Sequence, residues 1–373
     1  MLEKCQIGEL LITTPDGLSF KIDGKIIGPQ ATFRINDWSV IDSLLKSGDI
    51  GLGESYTDFS WDSDDLAEFI SYGTLNLKYI EKYAYGSLWR RFIYRLYNNW
   101  LRANSKRGSK SNIKAHYDIG NEFYQLWLDS TMTYSSALRT TSSSSLEEAQ
   151  SNKYQRILDL LGEKKANILE IGCGWGGFAE TASKIGHKLT GITISKEQFN
   201  FARKRLQEKA NIVFQDYRNI QEKYDAIVSI EMFEAVGEKY WETYFKTLKN
   251  CLNKNGKAII QTITIEDSIF DNYRKDTDYI RQYVFPGGML PSKSRFIEEA
   301  NKVGLKVESV LEFGKDYSWT LRQWLDRITA VEGRIKEIGY NESFLRAWKF
   351  YLQMCISGFE TERTNVMQIE LST

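Results

Sequence analysis

Residues 168–178 read ILEIGCGWGGF. A short apolar run, interrupted only by Glu170, leads into glycines at alternate positions 172, 174 and 176, and Phe178 opens the segment beyond. Glycine lets the chain turn tightly and a ligand approach the backbone, and the N-terminus of a following helix offers unpaired N–H groups. Strand, glycine turn and helix make the start of a βα unit that binds a ligand beyond the strand's carboxyl end. A dinucleotide site is the obvious competitor. Its G-x-G-x-x-G spacing is absent, however, and an acid stands two residues before the first glycine.

Outward from this loop the pattern alternates between helix and strand. ANILEIG (166–172), KLTGITI (188–194), NIVFQD (211–216), YDAIVSI (224–230) and KAIIQTITI (257–265) have the spacing of βα units in a largely parallel sheet. The second strand enters GITISKEQ (191–198) without the acid that a nicotinamide site places about 20 residues after its glycines. The third ends in FQDYR (214–218), where Asp216 is suited to accept a hydrogen bond from an adenine amino group. The serines of TTSSSS (140–145) are placed to cap a helix beginning LEEAQ.

Composition excludes several classes. The 373 residues carry 49 basic and 49 acidic side chains, so the surface is not a uniformly basic coat for nucleic acid. Only His116 and His187 are present, which rules out a three-histidine metal site, and no metal is expected. His187, between a helix and a strand, reads as a surface residue. Cys5, Cys173, Cys251 and Cys355 show no C-x-x-C spacing, so a reducing compartment is expected. Glu3 and Glu9 interrupt the start where a secretory signal needs an apolar run, and no stretch of 18 apolar residues exists.

The zero balance conceals an asymmetry. Residues 1–80 have a net charge of −7 and residues 81–115 one of +8. The acidic part, with β-like runs GELLITTP, LSFKIDG and ATFRIN and a helix-like stretch from Asp37 to Lys46, reads as a small α/β domain. In LWRRFIYRLYNNWLR (88–102) apolar residues fall on a helical face, with Arg90, Arg91, Arg95 and Arg102 elsewhere. One reading is a helix packed between domains. The other is an interfacial helix with a basic loop, drawn to anionic headgroups by about 1 kcal/mol per basic residue.

The glycine spacing resembles the first motif of S-adenosylmethionine-dependent methyltransferases, and nearly the whole chain resembles the cyclopropane-fatty-acyl-phospholipid synthase family, which includes the mycolic acid cyclopropane synthases. The matching stretches are GDIGLGESY (48–56), HYDIGNEFYQLWLDSTMTYSSA (116–137), ILEIGCGWGGF, GITISKEQ, FQDYR, EMFEAVG (231–237), YVFPGGMLPS (283–292), FGKDY (313–317) and YLQMCISGF (351–359). The resemblance implies an α/β chain: a Rossmann-like class I methyltransferase domain with a largely parallel seven-stranded sheet over 116–373, a lipid-binding-like N-terminal α/β domain over 1–80, and a basic helix and linker over 81–115. It implies a cytoplasmic enzyme, peripheral at the inner membrane face through segment 88–110, without nucleic acid, and a homodimer that nothing in the residues themselves shows.

The implied chemistry is methyl transfer from S-adenosylmethionine to a double bond of an unsaturated phospholipid acyl chain. Aromatic faces would stabilise the resulting cation, and a bound bicarbonate would remove the proton whose loss closes a cyclopropane ring. Carried over by position, Tyr134 and Ser135 meet the methionine part with Gly172, Cys173, Gly174, Trp175 and Gly176. Thr193 and Gln198 hold the ribose, and Asp216, Tyr217 and Arg218 the adenine. Glu234 and Tyr317 match the bicarbonate-holding pair. Cys355 matches a cysteine proposed for the active site, although an inert buried thiol is an equal reading.

Three positions depart from the family. Ser136 stands where Cys is common, Gln261 where a His closes the strand-end motif, and Ala235 where a His often follows the catalytic Glu. These weaken the expectation of bicarbonate. They also leave open a methylene- or methyl-branched product, while a non-catalytic lipid-binding protein is the rival of another class. His116 opens HYD, with either a ligand-touching or a structural role beside Asp118. Glu231 either orients Glu234 or is a solvated turn residue.

Overall fold

The computed structural model describes residues 4–84, 104, 109 and 119–373. The expected basic helix at 88–102, the rest of the loop to 115, His116 and Asp118 lie outside the described residues.

Near the N-terminus, β1 (Ile7–Thr13), β2 (Ser19–Asp23), β3 (Ile26–Ile35) and β4 (Trp61–Asp62) form a sheet in the order β2-β1-β3-β4. The three β-like runs of the sequence are its first three strands. The stretch read as helical from Asp37 is the helix Ser39–Ser47, and GDIGLGESYT continues as the helix Asp49–Thr57. Helix Leu66–Leu75, capped by the Asp65 side chain, packs on β1 and β3.

The larger sheet contains β5 (Asn167–Ile171), β6 (Lys188–Thr193), β7 (Asn211–Phe214), β8 (Tyr224–Ile230), β9 (Leu252–Ile265), β10 (Lys306–Glu312) and β11 (Thr364–Ser372), in the order β10-β11-β9-β8-β5-β6-β7. β5 to β9 pair in parallel, whereas β11 runs antiparallel to β9 and β10. The fold is the α/β arrangement expected. Central strands are covered on both faces, so they read as unbroken apolar runs such as Ile168–Leu169 and Ala258–Ile260, all buried. The helix Leu146–Leu161 begins with a reciprocal capping box between Ser145 and Glu148, as TTSSSSLEE foreshadows.

From β5 the chain winds outward through β6 and β7, then returns to the other side of β5 as β8. That reversal opens a crevice beyond the carboxyl ends of β5 and β8. The glycine loop follows β5 and EMFEAVG follows β8, so both motifs reach the same crevice.

The two sheets share one apolar core through the helix Glu342–Glu360. The Arg346 guanidinium donates to the carbonyls of Tyr56 at 2.7 Å and Trp61 at 3.0 Å and lies 3.8 Å from the centre of the Tyr56 ring. Gly53 permits the contact: a Cβ there would lie 2.4 Å from Tyr279 and 2.7 Å from Phe350.

His187 is not at the surface. It is 6% exposed, because the turn into β6 folds back on the start of β5, where the Ala166 N–H donates to its Nδ1 at 3.2 Å. Burial holds its pKa below the usual histidine value. Among the described residues no helix is long and apolar enough to cross a membrane.

Candidate active site

A cavity of about 810 Å³ fills the crevice. Gly172, at φ +82°, brings the loop so close to the segment after β8 that a Cβ would sit 2.8 Å from the Met232 side chain. The N–H groups of Gly172 and Cys173 both donate to Ile192 O, tying the loop to β6.

Tyr134, Ser135, Gly172, Cys173, Gly174, Trp175, Thr193, Gln198, Asp216, Tyr217 and Arg218 all line this cavity. Gly176 instead forms the left-handed N-cap of the helix Gly177–Lys184, and Gly177 lines the cavity. Thr193 donates to Gln198 Oε1 at 2.9 Å. Asp216 is gripped by Arg218, Nε to Oδ1 at 2.8 Å and a terminal nitrogen to Oδ2 at 2.6 Å. Glu170 brings a buried carboxylate whose Oε2 has no hydrogen-bond partner among the described residues. Burial pushes its pKa well up. A ligand carrying an ammonium group would supply the missing donor, so these residues fit an amino-acid-bearing adenosine cofactor.

A second group of residues gathers beside Met232, on Glu231. Its Oε1 accepts from the Ser136 N–H at 2.8 Å and from Gln261 Nε2 at 2.7 Å, while its Oε2 accepts from the Tyr317 hydroxyl at 2.6 Å. Glu231 lines the cavity and is therefore not a solvated turn residue. Ser136 and Gln261, both fully buried, stand behind it and do not line the cavity themselves. Gln261 Oε1 accepts from Gln368 Nε2 at 2.9 Å, and Gln368 Oε1 accepts from Arg156 at 3.0 Å. This chain of donors aims the Gln261 NH₂ at the carboxylate.

Glu234 also lines the cavity, with Oε1 held by Thr262 at 3.0 Å and the Ile263 N–H at 2.5 Å. Its Oε2 has no partner among the described residues. Burial and the neighbouring charge of Glu231 push its pKa up to about 8. Burial also raises Glu231, but Lys153 and the three donors oppose that rise. At neutral pH the proton of this pair therefore rests on Glu234 and the negative charge on Glu231.

The cavity continues along an apolar wall of Phe285, Leu321, Tyr351, Met354 and Phe359. Cys355 is in this wall, and burial drives its thiol pKa well above the ordinary value. It is thus a neutral thiol and a poor nucleophile.

Two residues of the centre carry no expectation from sequence. Lys153, 0% exposed, donates to Ser135 Oγ at 2.6 Å, and burial lowers its pKa to about 7. The available signal is its place in the apolar stripe Leu146, Ala149, Lys153, Ile157 of one helix. Gln368 lies on β11, in a strand that had no motif to mark it.

Residues 104–369 match the family model described as mycolic acid cyclopropane synthetase. The chain is 34% identical over 97% of its length to the cyclopropane-fatty-acyl-phospholipid synthase of Escherichia coli, of which 95% is covered. It is 32% identical over 87% of its length to tuberculostearic acid methyltransferase UfaA1 of Mycobacterium tuberculosis, of which 78% is covered. Among solved structures, mycolic acid cyclopropane synthase CmaA1 complexed with SAH and CTAB superposes with a TM-score of 0.67 at 28% identity, covering 71% of this chain and 98% of that one.

Proposed function

This chain belongs to the mycolic acid cyclopropane synthetase family and is an S-adenosylmethionine-dependent methyltransferase, and from that premise we propose that it methylates double bonds of unsaturated phospholipid acyl chains to form cyclopropanes. The observation that carries the reading is the single cavity that joins the glycine loop to the apolar wall of helix Glu342–Glu360. A polar end suited to an adenosine cofactor thus meets a long apolar slot of the kind an acyl chain fills.

When bound, S-adenosylmethionine supplies an electrophilic methyl group on its sulfonium. The loop Gly172–Gly174 and the Thr193–Gln198 pair would bind and orient it, and the Glu170 carboxylate would receive its amino group. An alkene is a weak nucleophile, so the apolar wall serves by aligning it and excluding water. Tyr317, Tyr351 and Phe359, all lining the cavity, bring aromatic rings of the kind that stabilise a developing carbocation. The +8 block at 81–115 would hold the protein against an anionic bilayer that presents the substrate.

A second reading, an exocyclic methylene product from the same lipids, is favoured by one observation. Ser136 and Gln261, which depart from the family, lie directly behind the carboxylate at the site. The test is to incubate the protein with S-adenosylmethionine and vesicles of a cis-monounsaturated phosphatidylglycerol. Cyclopropane formation predicts acyl chains heavier by one CH₂ with high-field ring protons in the NMR spectrum. Vinylidene protons instead would establish the second reading. Unchanged lipid, together with no binding of the cofactor by calorimetry, would leave a non-catalytic lipid-binding protein.

A further inference from the structure

We propose that the Glu231 carboxylate is the base of the reaction, built into the chain at the place where the family resemblance puts a bicarbonate ion. The inference rests on the reading of the protein as an alkene methyltransferase.

A small oxyanion in this part of the cavity needs donors for its oxygens. The donors that surround the place are the Ser136 N–H, the Gln261 NH₂ and the Tyr317 hydroxyl, and all three end on Glu231. Gln261 has no freedom to turn its NH₂ elsewhere, because Gln368 donates to its oxygen and Arg156 in turn fixes Gln368. Bicarbonate would either displace Glu231 from every one of these bonds or lie against its charge with the protonated Glu234 as its one donor among the described residues. The residues present do not fit that ion.

Backbone geometry points the same way. Glu231 is the first residue after β8 and adopts φ +50°, a left-handed conformation that non-glycine residues seldom take. Such conformations persist where the surroundings enforce them, and here the Glu231 N–H is tied to Gln261 O at 2.8 Å. The side chain is thereby turned into the cavity wall, next to the Met232 contact with the cofactor loop. Glu234, which holds a proton at neutral pH, is not available as the acceptor.

The step is simple in its balance. Once a methyl group has been added to one alkene carbon, the neighbouring carbon is cationic. A C–H bond of the new methyl breaks, its proton goes to Glu231, and its electron pair forms the C–C bond that closes the ring. The products are a neutral cyclopropane and a Glu231 carboxylic acid.

The experiment uses the full chain in buffer stripped of carbon dioxide, with S-adenosylmethionine and unsaturated phospholipid vesicles, with and without added bicarbonate. Wild-type turnover is expected to be the same in both. Glu231→Gln keeps the shape but not the basicity, so turnover falls by about 10²-fold or more while the dissociation constant for S-adenosylmethionine stays within about twofold of wild type. Glu231→Gly vacates the three donors and is expected to bind ¹³C-bicarbonate, seen as NMR line broadening, where wild type gives none. Loss of wild-type turnover on removing bicarbonate, bicarbonate binding to wild type, or a Glu231→Gln variant at wild-type rate would each overturn the proposal. If wild type methylates no lipid at all, the reading of its reaction fails, and the bicarbonate-binding comparison still decides whether Glu231 occupies the anion's place.

Discussion

At the scale of single residues, the site depends on buried polar groups that hold one another in place. Gln261→Leu leaves Gln368 Nε2 and Glu231 Oε1 each short of a bond in buried surroundings. Glu231 Oε1 keeps the Ser136 N–H, so we expect a loss of about 1–3 kcal/mol for the orphaned Gln368 amide, read from the denaturant midpoint, and a lower kcat with unchanged cofactor affinity. Gly172→Ala forces a side chain into φ +82° and against Met232. The left-handed penalty alone is about 1–2 kcal/mol, so S-adenosylmethionine should bind about tenfold more weakly by calorimetry. The glycine loop, Asp216 and Tyr317 are legible in the sequence because each is part of a local motif. The role of Glu231 is not, because its three donors come from 95, 30 and 86 residues away. Only the folded sheet brings Ser136, Gln261 and Tyr317 to one carboxylate.

Among elements, the helix Glu342–Glu360 has two duties. Tyr351, Met354, Cys355 and Phe359 form cavity wall, while Arg346 and Phe350 engage the N-terminal part. Arg346→Ala removes charge-assisted bonds to two buried carbonyls, which should cost about 2–3 kcal/mol, measured by urea denaturation. Gly53→Val, distant from the glycine loop in sequence, should loosen the same contact and lower turnover on lipid more than it lowers cofactor binding. Strands β5 to β9 are readable as apolar runs because both faces are covered. β10 is only half-buried, with Lys306, Glu308 and Glu312 along it, so its pattern is weak. β11 is buried but follows a helix that ends without glycine or proline at Thr361.

For the molecule as a whole, buried carboxyls make stability depend on pH. The pKa of Glu234 is raised from 4.5 to about 8, so its contribution to stability is full below the ordinary carboxylate range and is lost as pH rises through about 8. Lys153, lowered to about 7, pulls the other way only above that pH. Tm should therefore fall as pH is raised from about 5 to about 7. Glu234→Gln, which keeps the bonds from Thr262 and Ile263, should reduce that slope, with Glu170 and Glu231 retaining part of it. The chain forms two sheets, but a sequence cannot show that they share a core. That sharing bears on inheritance. A helix that is cavity wall on one face and packs against the N-terminal part on the other leaves no seam where a gene could be cut after residue 84 without exposing Phe350 and Tyr279. Mutations that reshape the slot must be tolerated by the first sheet as well, so the two parts are bound to change together.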